Sequence, residues 1–110
     1  MRVAYVVSSS NSRKILRDMI IPQMEAGEHV AEVVGMFFVF DNTFMLLDNT
    51  DLGGRIQKLI DEKDMAVLAC DQCVYEREIE DKLIKGAHIG CFPMLYGLLK
   101  DANLDQVITI

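Results

Sequence analysis

Three cysteines carry the most reactive chemistry in this sequence. Cys70 and Cys73 form a C-x-x-C pair directly after the apolar run 65–69, and Cys91 follows a second apolar run at 87–90. A thiol at the junction of a strand and a helix lies where backbone N–H groups and the helix dipole favour the thiolate. The thiolate is both the nucleophile and the metal ligand. The pattern therefore predicts thiol chemistry, with Cys70 as the first catalytic candidate and the other two thiols as its partners.

One use of these thiols is the transfer of a sulfur atom. As a thiolate, Cys70 can attack the outer sulfur of a donor persulfide and hold it as a cysteine persulfide. A thiolate on a partner protein then removes that sulfur, so this function needs donor and acceptor proteins but no cofactor. Cys73 or Cys91 can instead expel the sulfur as sulfide by forming a disulfide with Cys70, or can serve packing alone. Persulfide exchange fits a stoichiometric carrier as well as a sulfurtransferase-type enzyme.

Two other uses of the thiols stay open at this point. Cys70, Cys73, His88 and Cys91 together make a Cys₃His ligand set, which zinc accepts in tetrahedral geometry. A structural zinc usually organises polar loops that lack a core, however, whereas these residues follow apolar segments. C-x-x-C between a strand and a helix is also the signature of dithiol oxidoreductases, and it predicts a reversible disulfide. Both uses rank below sulfur transfer.

Composition argues against several other classes of function. The chain has 110 residues, is 51% hydrophobic and carries a formal net charge of −6, which predicts a single domain over 1–110 with its own core. Lysine and arginine are scattered, so we expect no nucleic-acid binding. The longest apolar stretch, 33–40, is too short for a membrane span, and the first residues lack a secretory pattern. Three cysteines, an odd number, then favour a reducing cytoplasm.

Short apolar runs alternate with amphipathic segments along the whole chain. Five of these runs have the length and composition of strands: 3–7, 31–40, 65–69, 87–91 and 106–110. Their alternation with helical segments predicts an α/β fold of three layers, in which helices cover both faces of a mostly parallel five-stranded sheet. Pro22 predicts a kink or an early stop in the first helix, and Pro93 suits the first turn of the last helix. Segment 44–47 fits either a short strand or a buried helical turn.

The third predicted helix begins near Gln72. Its expected apolar positions are Val74, Tyr75, Ile79 and Leu83. Arg77 can pair with an aspartate or glutamate on its own helix or steady a thiolate at the sheet edge, although a solvated face is the simpler expectation.

Ligands bind to parallel sheets of this type outside the carboxyl ends of the strands. The loops expected at that edge are 8–12, 41–44, 70–73 and 91–93. The three thiols should therefore share one edge, although spacing alone does not give the strand order. In the first two loops, Ser9, Asn11, Asp41 and Asn42 are the candidates for binding the substrate. Helix capping is the simpler use of the serines and Asn11.

Four features, taken in order, carry a family resemblance. They are an opening strand with a polar turn (6–11), a strand with an acidic turn and an apolar return (37–47), Cys70 with Arg77 seven residues later, and a closing strand, helix and strand. The set resembles the DsrE family of small sulfur-relay proteins. The resemblance implies a DsrE-like three-layer fold, a homo-oligomer of trimer or hexamer type, and a persulfide-carrying cysteine, by position Cys70.

The chain departs from that family pattern at several positions. Glu78 and Asn42 stand where glycine is common in the family, and Cys73 and Cys91 lie outside its general pattern. The runs 37–40 and 44–47 are also more apolar than one small domain can readily cover. We therefore expect part of that surface to be buried between subunits.

Overall fold

Strands and helices alternate along the whole chain, as the apolar pattern predicts. The computed structural model describes residues 1–110. Its elements in chain order are β1 (Arg2–Val7), α1 (Ser12–Ile15), a π-helical turn (Leu16–Ile20), α2 (Ile21–Glu25), β2 (Glu32–Phe38), a 3₁₀ segment (Phe40–Leu46), α3 (Asp51–Lys63), β3 (Ala66–Cys70), α4 (Asp71–Glu76), β4 (Ala87–Gly90), α5 (Phe92–Leu99) and β5 (Gln106–Thr109). All five predicted strands are confirmed, although β2 is shorter than expected at both ends.

The five strands form one sheet in the order β4-β3-β2-β1-β5, and every pair is parallel. From β1 to β4 each crossover steps in the same direction across the sheet. The connection from β4 to β5 returns to the opposite edge. Because such crossovers are right-handed, this return places α5 on the face opposite to the other helices. The predicted three-layer α/β/α architecture is therefore confirmed. No helix of the chain has both the length and the apolar character that crossing a bilayer requires.

Two hydrophobic cores lie on the two faces of the sheet. The larger core packs the helices between β1 and β3 against the sheet and includes the fully buried Leu16 and Ile56. The smaller core lies mainly under α5 and includes Phe37 and Leu95, with Cys73 contributed by α4. Only one short helix shields this second face, so its core is small and its edge stays open.

Alternation along β3 decides which core each of its side chains joins. Val67 and Ala69 belong to the larger core, whereas Leu68 and Cys70 belong to the smaller one. This is the two-residue period of a strand. The last residue of β3 therefore directs its sulfur towards the face that α5 covers.

The first helix does not stop at Pro22, so the expected early stop is wrong. The chain stays helical from Ser12 to Glu25, through a π-helical turn just before the proline. In that turn the N–H of Ile21 donates to the carbonyl of Leu16, five residues back. The wider turn places Pro22 in the first turn of α2, where the lack of a backbone N–H disturbs helical hydrogen bonding least.

Segment 44–47 belongs to a buried helical turn, one of the two alternatives that the sequence left open. Met45 and Leu46 are buried in the larger core, and Leu47 makes an isolated antiparallel bridge to Leu83. Thr50 then caps α3, because its hydroxyl oxygen accepts the N–H of Gly53 at 3.0 Å.

The helix after Cys70 is much shorter than its apolar pattern predicts. It ends at Glu76, so Ile79 and Leu83 lie beyond it, and Tyr75 is exposed. Glu78 has a φ of +54°, and the N–H groups of Glu78 and Ile79 donate to the carbonyls of Tyr75 and Val74. This is a Schellman motif, which ends a helix and normally takes glycine at its left-handed position. The glycine common in the resembled family falls at that same position.

Candidate thiol site

A cleft of about 390 Å³ opens at the carboxyl edge of the sheet, on the side of α5, and all three cysteines line it. Phe40 and Phe92 form its apolar lips and are 60% and 46% exposed. The predicted gathering of the thiols at one edge is therefore found in the structure. The cysteines are all free thiols. We call this feature the thiol cleft.

Strand order explains why Cys70 and Cys91 meet in the thiol cleft. β3 and β4 are neighbours, and their register pairs Cys70 with Gly90. Cys91 follows one residue later, where the chain turns into α5. The sulfurs of Cys70 and Cys91 and a carboxylate oxygen of Asp71 all lie within 4.8 Å of one another. The two thiols are thus close enough to react with a common partner atom.

Cys73 reaches the same cleft from α4. Its sulfur accepts a hydrogen bond of 3.1 Å from the backbone N–H of Phe40. Phe40 has a φ of +57°, a strained conformation for a residue other than glycine, and such strain is frequent at functional sites. The strained backbone after β2 therefore aims a donor at the Cys73 sulfur.

Cys70 is less ready to ionise than its position in the sequence predicts. Burial raises the pKa of the Cys70 thiol, and the neighbouring Cys73 sulfur raises it further. The backbone N–H groups of Cys73 and Gln72 act in the opposite direction but do not outweigh burial. The expectation of a thiolate favoured by the helix start is therefore wrong in sign, because Cys70 is only 8% exposed.

Arg77 ties the end of α4 to this site. It donates to the carbonyl of Cys73 at 3.1 Å, and its guanidinium lies 6.0 Å from the ring centre of Phe44. Its side chain is 20% exposed. The expectation of a fully solvated arginine is therefore wrong, and Arg77 instead braces the helix that carries Cys73.

Three of the four predicted substrate-binding residues line a second hollow, which has a volume of about 370 Å³. Ser9, Asp41 and Asn42 lie there, and the Asn42 side chain donates to the Ser9 carbonyl at 3.1 Å. Phe40 lines both this hollow and the thiol cleft and so stands between them. Asn11 lies outside both linings, as an exposed N-cap of α1 whose side chain makes no capping hydrogen bond.

The structure does not gather the alternative Cys₃His ligand set. His88 is exposed on β4, and no group of neighbouring ligand atoms includes it. The group that does form consists of Cys70, Asp71 and Cys91, so the residues placed to hold a metal are two thiols and a carboxylate. His88 pairs in register with Leu68, two positions before the end of β3, so it lies away from the carboxyl ends of the strands, where the cysteines meet.

Sequence reasoning missed Phe40, which lines the thiol cleft, and Asp71, which lies beside two of its sulfurs. Phe40 contributes through its backbone N–H, and a phenylalanine carries no local signal for a left-handed conformation. Asp71 brings its carboxylate beside the sulfurs of Cys70 and Cys91. Its direct adjacency to Cys70 was the one available signal.

The overall architecture matches solved structures of other proteins. The ychN protein from E. coli superposes with a TM-score of 0.73 at 18% identity, over 100% of this chain and 99% of that chain. A protein of unknown function from Methanobacterium thermoautotrophicum, MTH1491, gives a TM-score of 0.67 at 13% identity, over 97% of each chain. No protein-family model and no curated protein matches the sequence.

Both solved structures have a DsrE-like fold, and so does this chain. At these identities the similarity is one of fold. The molecule is thus an α/β protein of DsrE-like fold with a cleft that three thiols line.

Proposed function

We propose that this chain carries a sulfur atom as a cysteine persulfide in the thiol cleft, with Cys70 as the carrier residue. The observation that carries the proposal is that all three thiols open into one cleft, beside the end of β3. A persulfide carrier needs a thiol that a donor can reach. It also needs surrounding residues that limit the loss of the bound sulfur to solvent. The cleft supplies both, because Cys70 lines it and yet is only 8% exposed.

Loading begins with removal of the Cys70 proton. A base in solution takes that proton, and this step becomes easier as pH rises because burial holds the pKa of Cys70 above its ordinary value. The Cys70 thiolate then attacks the outer sulfur of a donor persulfide, R–S–SH. A new S–S bond forms to Cys70, the donor's S–S bond breaks, and R–S⁻ leaves and is protonated to R–SH. An acceptor thiolate attacks the outer sulfur on Cys70 in the same way and regenerates the free thiol.

Donor and acceptor proteins are the partners that this chemistry needs. The exposed rings of Phe40 and Phe92 at the lips of the thiol cleft offer an apolar surface on which such partners can dock. Reduced thiols persist in a reducing compartment, so the proposal includes a cytoplasmic location.

Mass measurement of the intact protein, and of its digest to locate the added sulfur, tests the carrier role. Reduced protein is incubated with glutathione persulfide, and excess donor is removed before mass analysis. The parent chain should gain one sulfur atom, and Cys70→Ser should retain none on α4 or β3. His88→Gln is a matched control, because it changes an exposed residue on the neighbouring strand. A Cys70→Ser variant with as much sulfur at residues 66–76 as the parent would exclude Cys70 as the carrier.

A dithiol redox function is the second candidate, and the presence of Cys70 and Cys73 in one cleft favours it. Attack of the Cys73 thiolate on the inner sulfur of a Cys70 persulfide forms a Cys70–Cys73 disulfide and releases sulfide as HS⁻. Thiol counting across defined glutathione redox poises tests this function in Cys91→Ser, which leaves only the C-x-x-C pair. Two free thiols at every poise would exclude it, whereas a reversible loss of both would support it.

We further propose that the chain self-associates, as a trimer or hexamer, through the exposed surface of α5. Met94, Tyr96 and Leu98 are all exposed on this helix. The runs 37–40 and 44–47 no longer support the proposal, because only Phe40 and Phe44 in them are exposed. Light scattering tests it: Tyr96→Asp should lower the molar mass to that of one chain, whereas Met19→Asp, an exposed control on the opposite face, should not. A parent of one-chain mass would exclude self-association.

A further inference from the structure

The three thiols of the cleft differ in how they meet solvent. Cys70 and Cys73 are 8% and 6% exposed, whereas Cys91 is only half-buried. Cys91 precedes the first turn of α5, beside Phe92 at the lip of the cleft. Cys91 is therefore the most exposed of the three cysteines.

The distance between Cys91 and Cys70 suits the passage of one sulfur atom. Their sulfurs lie within 4.8 Å of each other. Two S–S bonds laid end to end span about 4.1 Å. A sulfur atom bonded to Cys91 can thus contact the Cys70 sulfur after a small movement, with no rearrangement of the sheet. The pairing of Cys70 with Gly90 holds both residues at this spacing.

We propose that Cys91 is the entry thiol, which takes sulfur from the donor and passes it inwards to Cys70. The inference rests on the proposed carrier function. In the first step the Cys91 thiolate attacks the outer sulfur of R–S–SH, an S–S bond to Cys91 forms, and R–S⁻ leaves. In the second step the Cys70 thiolate attacks that same outer sulfur. The S–S bond at Cys91 breaks, Cys91 leaves as a thiolate, and the persulfide now lies on Cys70. No oxidant or reductant is consumed.

Burial of Cys70 favours transfer from Cys91 to Cys70, because it limits the loss of sulfur after the transfer. At Cys91 the persulfide is open to attack by any thiol in solution, whereas at Cys70 the walls of the cleft restrict access to it. The entry and storage positions are therefore separate residues of one site. This division accounts for a third cysteine at the end of the strand next to β3.

A time course with residue-level detection tests the inference. Protein is mixed with glutathione persulfide, quenched at intervals by alkylation, and digested so that mass spectrometry locates the extra sulfur. In the parent, the peptide with Cys91 should carry sulfur first and the peptide with Cys70 later. In Cys70→Ser the sulfur should stay on Cys91. In Cys91→Ser, loading of Cys70 should slow by about tenfold or more, because the reactive thiol beside it is lost.

Several outcomes would overturn the inference. Loading of Cys70 at the parent's rate in Cys91→Ser, or no sulfur on Cys91 in Cys70→Ser, would each exclude an entry role while leaving the carrier function intact. A parent that gains no sulfur on any cysteine would overturn the carrier function as well. Serine is a favoured N-cap residue, so Cys91→Ser should fold, and His88→Gln should load at the parent's rate.

Discussion

Arg77 forms a salt bridge to Asp41 through two nitrogens. Its Nε donates to the carboxylate at 2.9 Å, and a terminal nitrogen lies 2.8 Å from the same carboxylate. Asp41 lies in the 3₁₀ segment after β2, and Arg77 closes α4 after β3. The pair therefore joins the backbone that supplies the Phe40 N–H to the helix that carries its acceptor, Cys73. The pair thus holds the 3₁₀ segment and α4, which form two walls of the thiol cleft, in a fixed position relative to each other.

Replacing Arg77 with lysine should loosen that connection. Lysine cannot make the two-pronged contact with Asp41 and also donate to the Cys73 carbonyl. Because the Asp41 side chain is 86% exposed, the expected loss in the free energy of unfolding is only about 1 kcal/mol. Urea unfolding measures it. Glu76→Gln, which removes a looser 3.6 Å contact to Arg77, is the control and should change stability by less. Equal losses in both variants would contradict the bracing role of Asp41.

Ionisation of Cys70 should occur at higher pH than that of an ordinary cysteine, whose pKa is about 8.5. Burial and the Cys73 sulfur both raise the pKa of Cys70, so its thiolate fraction rises only as pH passes above the usual range. Cys73→Ser removes the second cause and should move the midpoint to lower pH. The rate of Cys70 alkylation against pH, followed by mass spectrometry, gives the midpoint. A midpoint that is unchanged or higher in Cys73→Ser would contradict the assignment.

Stability should fall on mild acidification because of His29. Its Nδ1 donates to the Gln23 side-chain oxygen at 2.9 Å, and its Nε2 accepts the Tyr5 hydroxyl at 2.9 Å, so the neutral ring satisfies both partners. Burial lowers the pKa of His29. The stabilisation is present above the unfolded-state pKa of about 6.5 and is lost as pH falls towards the lower folded-state pKa.

The histidine at position 88 provides the matched control for this acid effect. His29→Gln should flatten the dependence of the unfolding free energy on pH between about pH 7.5 and about pH 5. His88→Gln changes an exposed histidine and should retain the parent's loss. Chemical unfolding at a series of pH values makes the comparison. An unaltered profile in His29→Gln would show that another group causes the loss.

Two adjacent glycines in α3 should respond in opposite directions to alanine. A Cβ on Gly53 would overlap the carbonyl oxygen of Leu47, whereas a Cβ on Gly54 would meet nothing within 4 Å. Gly53→Ala should therefore destabilise the fold by about 1–3 kcal/mol. Gly54→Ala should stabilise it by about 1 kcal/mol, because alanine loses less backbone entropy in a helix. Thermal and urea unfolding of the pair measure both changes, and a gain from Gly53→Ala would contradict the geometry.

The Schellman position at the end of α4 offers a stabilising substitution. Glu78 adopts a φ of +54°, which costs a residue with a side chain about 1–2 kcal/mol. Glu78→Gly removes that cost and should raise the free energy of unfolding by about 1 kcal/mol. Glu78→Ala removes the same charge but keeps the Cβ, so it should show no such gain. Equal stability of the two variants would indicate that the charge, and not the backbone, decides.

Local sequence patterns determined the elements of this fold. Apolar runs of strand length and the segments between them predict all five strands, and Pro93 predicts the start of α5. These features depend on side-chain periodicity and on turn chemistry within a few residues, so they can be derived without knowledge of the tertiary fold. The early end of α4 at Glu76 escapes such patterns, because Glu78, the left-handed residue that follows it, is not a glycine and gives no local signal.

Tertiary structure alone decided how the cysteines relate to one another. Pairing of β3 with β4 is a long-range choice of strand order, and it places Cys91 beside Cys70, whereas His88 lies away from the carboxyl ends of the strands. The Phe40 N–H reaches Cys73 only because β2 lies next to β3. Burial under α5 sets the direction in which the pKa of Cys70 moves. Each of these effects depends on residues far apart in the chain. Residue spacing therefore predicts which thiols are reactive, whereas only the tertiary packing determines the environment of each thiol.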